Sequence, residues 1–230
     1  MRSLTLSSFR LRTATAIPVL ALAAWLAGCT TAPPPAAPVP TTPPVQAFPY
    51  TGGELRLRTQ SGECVLELRG EIQAAALRQM HQALQAVDLS GCGRKTLVLH
   101  ASRGVLGDAI TAGAMLRNRG YATQVAAGTV CDTPCLMVFA AGVERWMPVA
   151  PQPARIAFSQ IPPDADFGRQ VCETQWSRGQ QLTLARYLRA MLPSPTATAV
   201  YQKLEAATCR ETEMYGPQQA LSMGLATALR

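Results

Sequence analysis

The sequence predicts an α/β domain, and three observations point there. Short apolar runs with strand character alternate with apolar stripes at helical spacing. Glycines stand at the ends of several of those stripes. The last third of the chain carries mostly helical spacing. Strands alternating with helices fold as a helix-covered sheet with right-handed crossovers.

The first 49 residues stand outside that pattern. Arg2, Arg10 and Arg12 precede an apolar run over residues 17–28, with no acidic residue before it. The run is shorter than the roughly 20 residues a spanning helix needs, so residues 1–28 read as a signal peptide. Leu26-Ala27-Gly28-Cys29 resembles the lipobox of bacterial lipoproteins. The resemblance implies acylation at Cys29, which becomes the mature N-terminus and anchors the chain to a membrane. Thr30 and Thr31 stand where an aspartate would signal inner-membrane retention, which implies the periplasmic face of the outer membrane. Residues 29–49 are proline-rich and read as an extended tether, reaching roughly 60 Å at ~3.1 Å per residue.

Within residues 50–230 the elements follow in order. Alternating apolar residues around Leu55, Leu57 and Val65 predict a hairpin about residues 59–63. Leu77, Met80, Leu84 and Val87 predict a helix from Glu71 to the break at residues 88–93. Residues 96–100 read as a buried strand entering the turn 101–104, and residues 108–119 as a helix stopped by Gly120. A strand over 121–127 leads to Cys131-Asp132-Thr133-Pro134-Cys135 and an apolar helix over 136–141. Strands over 144–149 and 155–159 follow, then helices over 169–192, 196–207 and 217–223.

The net charge of +7 falls to +4 once the three signal-peptide arginines are subtracted (7 − 3). The remaining arginines are scattered, which argues against a nucleic-acid stripe. Setting Cys29 aside, six of the seven cysteines fall in the domain: Cys64, Cys92, Cys131, Cys135, Cys172 and Cys209. An even number in an exported domain predicts disulfides, although six allow 15 pairings. Cys131 and Cys135 bracket a helix start and are close enough to pair. A Cys172–Cys209 bond would clamp the late helices, leaving Cys64–Cys92 by elimination. With no CxxC pair and only His81 and His100, no metal site is expected, and no cofactor motif is found.

Three segments in this order resemble the secreted branch of the Clp-protease/crotonase superfamily. They are Leu97-Val98-Leu99-His100-Ala101-Ser102-Arg103-Gly104, the stretch from Cys131 to Arg145, and Gln219-Ala220-Leu221-Ser222-Met223-Gly224-Leu225. The resemblance implies a fold of repeated ββα units with late helices packed at the C-terminal end. It also implies self-association through late helices, for which Leu182, Leu184, Tyr187, Leu188 and Met191 form an apolar stripe. The same stripe could instead cover the chain's own sheet.

The family's hydrolytic chemistry needs a nucleophile at a helix start, a histidine base and glycine N–H donors for an oxyanion. This sequence departs at each place. Thr133 takes the nucleophile position, Ser159 takes the histidine position, and Gly104 is the remnant of the glycine turn behind Arg103. Thr133 before Pro134 also reads as a helix N-cap. His100 adjoins the turn and reads as a hydrogen-bonded histidine at a strand end, with the base of the rival hydrolase as its alternative. Lys95 is out of reach at the far end of the strand, Lys203 has no placement from sequence, and His81 reads as a surface residue. The expected function is binding or scaffolding by a degenerate hydrolase domain with an unknown ligand; the rival is a Thr133-dependent hydrolase.

Overall fold

A computed structural model describes residues 45–161, 176–208 and 211–230. The signal peptide, Cys29 and the Cys172–Cys209 pair lie outside the described residues. The sheet begins with β1 (Val45–Tyr50), inside the segment expected as tether. Phe48 is buried there, and Pro49 is tolerated because an outermost strand has an unpaired side.

The expected hairpin is β2 (Gly53–Gln60) and β3 (Glu63–Gly70). Ser61 and Gly62, both at positive φ, make its two-residue turn, which matches the right-handed strand twist. From β3 the sheet continues in parallel through β4 (Arg94–His100), β5 (Ala122–Val125), β7 (Arg145–Met147) and β10 (Ala228–Leu229). The register sets Leu66 opposite Leu97 and Leu68 opposite Leu99, and all four are fully buried. The opposite face carries Glu67, Arg69 and His100.

Among the described residues three ββα units are visible: β2-β3-α1, β5-β6-α3 and β7-β8-α4, where α4 is Arg178–Met191. Here α1 is Ala74–Leu89, α2 is Leu106–Arg117, β6 is Val130–Cys131, α3 is Thr133–Ala140 and β8 is Arg155–Phe158. A second sheet holds β6, β8 and β9 (Glu213–Tyr215). Between β4 and α2 a single bridge, Ile72 with Gly104, stands in for a strand pair. That bridge, and the Glu71 N–H donated to the Gly52 carbonyl, keep residues 71–72 extended. The first helix therefore starts at Ala74, later than the apolar spacing alone predicts.

All eight residues of α3 are buried, so this helix is apolar all round and lies within the core. α4 (Arg178–Met191) docks on it: the Tyr187 hydroxyl donates to the Met137 carbonyl at 2.8 Å. The ring crosses α2 at Gly113, where a Cβ would stand 1.8 Å from that hydroxyl. Of the helix expected over residues 169–192, positions 169–175 lie outside the described residues, and α4 starts at Arg178. Ser177 and Gln180 form a capping box there, each side chain bonding the other's backbone N–H. Leu184, Tyr187, Leu188 and Met191 are buried within the chain, so most of the apolar stripe is consumed by its own core. Leu182 remains 46 % exposed.

α5 (Ser194–Ala206) packs on α4, and α6 (Pro217–Ser222) leads into β10. The buried Arg145 guanidinium donates to the carbonyls of Gly142, Gly224 and Leu225. It thereby ties together the second and third segments of the resemblance. Cys64 bonds Cys92, joining β3 to the chain just before β4, and Cys131 bonds Cys135 at the start of α3.

Candidate functional site

The candidate site is a cleft of about 370 Å³ where three chain reversals converge. Arg103, Gly104 and Val105 come from the turn after β4. Asp132 and Pro134 come from the start of α3, and Ser159 and Gln160 from the end of β8. Glu71 and Gln73 complete it from before α1. Parallel pairing of Cys131 with Ile156 explains why positions 132–134 and 159–160 meet, since both segments leave that pair in the same direction.

Thr133 is fully buried behind this lining. Its hydroxyl donates to the Ser159 carbonyl at 2.7 Å and lies 3.3 Å from the Ser159 hydroxyl. The N-cap expectation for Thr133 fails. Asp132 holds the cap position in extended conformation, without a side-chain cap bond, and Thr133 is the first helical residue. A hydroxyl on the first helical residue faces the adjoining β8 segment here rather than the helix's own N–H groups.

Gly104 has a structural explanation. A Cβ there would lie 2.3 Å from the Ile72 carbonyl oxygen, so the bridge to Ile72 requires glycine. The Val105 N–H donates to that same carbonyl at 2.8 Å, and the Ile72 N–H to the Arg103 carbonyl at 3.0 Å. The Gly104 N–H makes no hydrogen bond among the described residues. On the other side of the cleft Pro134 has no N–H to offer. A tetrahedral oxyanion needs convergent donors, and the residue following the nucleophile position supplies none.

His100 does not join this cleft. It sits on the sheet's polar face, 3.4 Å from Arg69 and 4.0 Å from Glu67. Burial, reinforced by the Arg69 charge, holds its imidazole below the usual histidine pKa; Glu67 pulls the other way. The alternation of β4 sets this position: Leu97 and Leu99 face the helices, so His100 faces away from them. Ser159 does line the cleft, but it is a hydroxyl and no strong base. Lys203 bonds Glu213 at 2.8 Å, Lys95 lies over the Tyr121 ring, and His81 contacts Gln85 on the surface of α1.

Sequence reasoning missed Asp132, Gln160, Glu71 and Gln73 as cleft residues. Burial pushes the Asp132 carboxyl above the usual carboxylate range, and the exposed Arg103 charge opposes that shift. The spacing Cys131-Asp132-Thr133-Pro134 held the signal for Asp132, because a helix start at a cleft presents its cap residue. Glu71 and Gln73 arrive through the non-local Ile72–Gly104 bridge, and no local pattern marks them.

No family model and no curated protein sequence matches this chain. Solved structures do. A mutant of the 1510-N membrane-bound stomatin-specific protease aligns over 71 % of this chain and 77 % of its own, with a TM-score of 0.53 and 10 % identity. An enoyl-CoA hydratase/isomerase family protein from Silicibacter pomeroyi aligns over 76 % and 74 %, with a TM-score of 0.52 and 14 % identity. The fold is that of the Clp-protease/crotonase superfamily. A peptidase from Plasmodium falciparum adds a third such match, covering 72 % of this chain and 94 % of its own at a TM-score of 0.51 and 10 % identity. Within the Clp-protease/crotonase fold, this cleft joins Arg103, Asp132 and Ser159 to the Gly104 N–H, with Thr133 sealed beneath.

Proposed function

We propose that this chain is a lipid-anchored envelope protein whose Clp-protease-like cleft binds a ligand without cleaving it. The observation that carries the reading is Thr133. Its hydroxyl is buried and its proton is committed to the Ser159 carbonyl, so it has neither access nor a base. A general base contributes about 10²–10⁴-fold and an oxyanion donor about 10²–10³-fold. A site without a histidine and with Pro134 beside the nucleophile position forgoes both. What remains suits recognition: opposite charges at Arg103 and Asp132, amides at Gln73 and Gln160, and the Gly104 N–H.

The membrane anchor rests on Leu26-Ala27-Gly28-Cys29 and the prolines behind it. The test of the cleft is activity-based labelling of the purified chain with a fluorophosphonate and a β-lactone. No adduct on Thr133 or Ser159 is expected. A stoichiometric adduct on Thr133 would establish the hydrolase instead. The anchor is tested separately by Cys29→Ala, which should move the chain from the membrane fraction to the soluble one.

A further inference from the structure

A second groove of about 310 Å³ lies between α4 and α5, on the late helices and distinct from the cleft. Arg178, Leu182, Ala185 and Arg189 recur at intervals of four, three and four, forming one stripe along α4. Ala197 and Tyr201 face them from α5. This stripe is not the one that builds the core, which uses Leu184, Tyr187, Leu188 and Met191.

Two features make the groove a ligand site rather than an incidental gap. Its floor is apolar, with Leu182 46 % exposed although α4 has a full core stripe without it. Its two ends are cationic and unanswered: among the described residues Arg178 and Arg189 have no ion-pair or hydrogen-bond partner, and no acidic residue lines the groove. Eleven residues separate the two guanidiniums along the helix, about 16 Å at ~1.5 Å per residue. We infer that this groove binds a single-chain anionic amphiphile. Its carboxylate is held in the planar fork of one arginine, and its hydrocarbon lies along Leu182, Ala185, Ala197 and Tyr201. A volume of this size is at the small end of ligand pockets, which matches one chain rather than a two-chain lipid.

The experiment is titration calorimetry on the full chain with dodecanoate below its micelle concentration, followed also by Trp176 fluorescence. Trp176 meets the Tyr201 ring edge-on at 6.1 Å and reports on that end of the groove. Saturable one-to-one binding is expected. Arg178→Gln with Arg189→Gln should weaken it roughly tenfold or more, since charge-assisted bonds are lost. Leu182→Asn should weaken it too, with helix content unchanged because all three side chains are exposed. Equal affinity for dodecyl maltoside would overturn the proposal by showing an apolar groove without anion recognition. Equal affinity for acetate would overturn it by showing a plain anion site. Binding to phosphatidylglycerol vesicles but not to monomeric dodecanoate would reassign the surface to the bilayer, and no binding at all would remove it. None of these outcomes touches the labelling test of Thr133.

Discussion

Thr133 gives its hydroxyl proton to the main-chain carbonyl of Ser159, 2.7 Å away, joining the first residue of α3 to the end of β8. The two positions to which the resemblance assigns a nucleophile and its base are thus tied by one structural bond. The Thr133 side chain closes the floor of the cleft.

Thr133→Val keeps the shape but leaves the Ser159 carbonyl without its donor at a buried position. A loss of about 1–3 kcal/mol is expected, the cost of an unsatisfied buried acceptor. Thr133→Ser keeps the hydroxyl and loses one buried methyl, costing about 1 kcal/mol. Urea denaturation of the two variants checks the order. A helix-cap role would instead make Ser neutral, and a smaller loss for Val than for Ser would refute the bond as the stabilising feature.

Gly104→Ala should destabilise the chain although the position lines an open cleft. Its Cβ would stand 2.3 Å from the Ile72 carbonyl oxygen and 2.7 Å from the Ile72 Cβ, contacts that a backbone pair cannot yield without separating. A cost of about 1–3 kcal/mol is expected from the overpacking, with Glu71 and Gln73 displaced from the cleft. Thermal unfolding measures it, and a Tm equal to that of the parent would show that the Ile72 bridge is dispensable.

Much of the fold was legible in the sequence because it rests on local patterns. Ser61-Gly62 sets a hairpin turn, and the leucines of β3 and β4 alternate in phase. Cys131 and Cys135 lie close enough to pair with each other. The cleft was less legible because its parts meet by pairing across the chain. Ile72 on Gly104 brings in Glu71 and Gln73, and Cys131 on Ile156 brings Thr133 to Ser159. His100 was legible as a strand-end histidine, and strand alternation, with Leu97 and Leu99 on the other face, keeps it from serving as the base of the rival hydrolase.

The polar face predicts how stability depends on pH. Glu67 bonds Arg69 at 2.9 Å and pairs with Arg58. Burial alone would raise its pKa, but the Arg69 hydrogen bond and the charges of Arg58 and Arg69 hold it below the usual carboxylate value. A carboxyl with a depressed folded pKa stabilises above its unfolded pKa of roughly 4.3, and that stability is lost as pH falls through the folded value. His100 acts in the same sense nearer neutrality, because its folded pKa also lies below the unfolded one. Glu67→Gln should therefore cost about 1–2 kcal/mol at pH 7, moderated by the half-exposed arginines, and little below pH ~3. It should also steepen the loss below pH ~6.5, since His100 loses its carboxylate neighbour. Denaturation midpoints across pH 3–8 test this, and a pH-independent cost would remove the ion cluster as its cause.

The two disulfides among the described residues should contribute unequally. Cys64–Cys92 closes a separation of 28 residues, and Cys131–Cys135 only 4. On the chain-entropy account the first restrains the unfolded chain by roughly 3.6 kcal/mol and the second by roughly 1.9 kcal/mol at 25 °C. Packing sharpens the contrast in another way. Cys131 and Cys135 are both fully buried beside the cleft, whereas Cys92 is only half-buried at the edge of the core. Partial reduction should therefore open Cys64–Cys92 first under native conditions, despite its larger effect on stability, because a reductant can reach it. The paired alanine variants, compared by urea denaturation, should show the greater loss for Cys64→Ala with Cys92→Ala. Peptide mapping after timed reduction should recover free Cys92 before Cys131. The reverse order of release would mean that opening at α3, rather than access to sulfur, controls reduction.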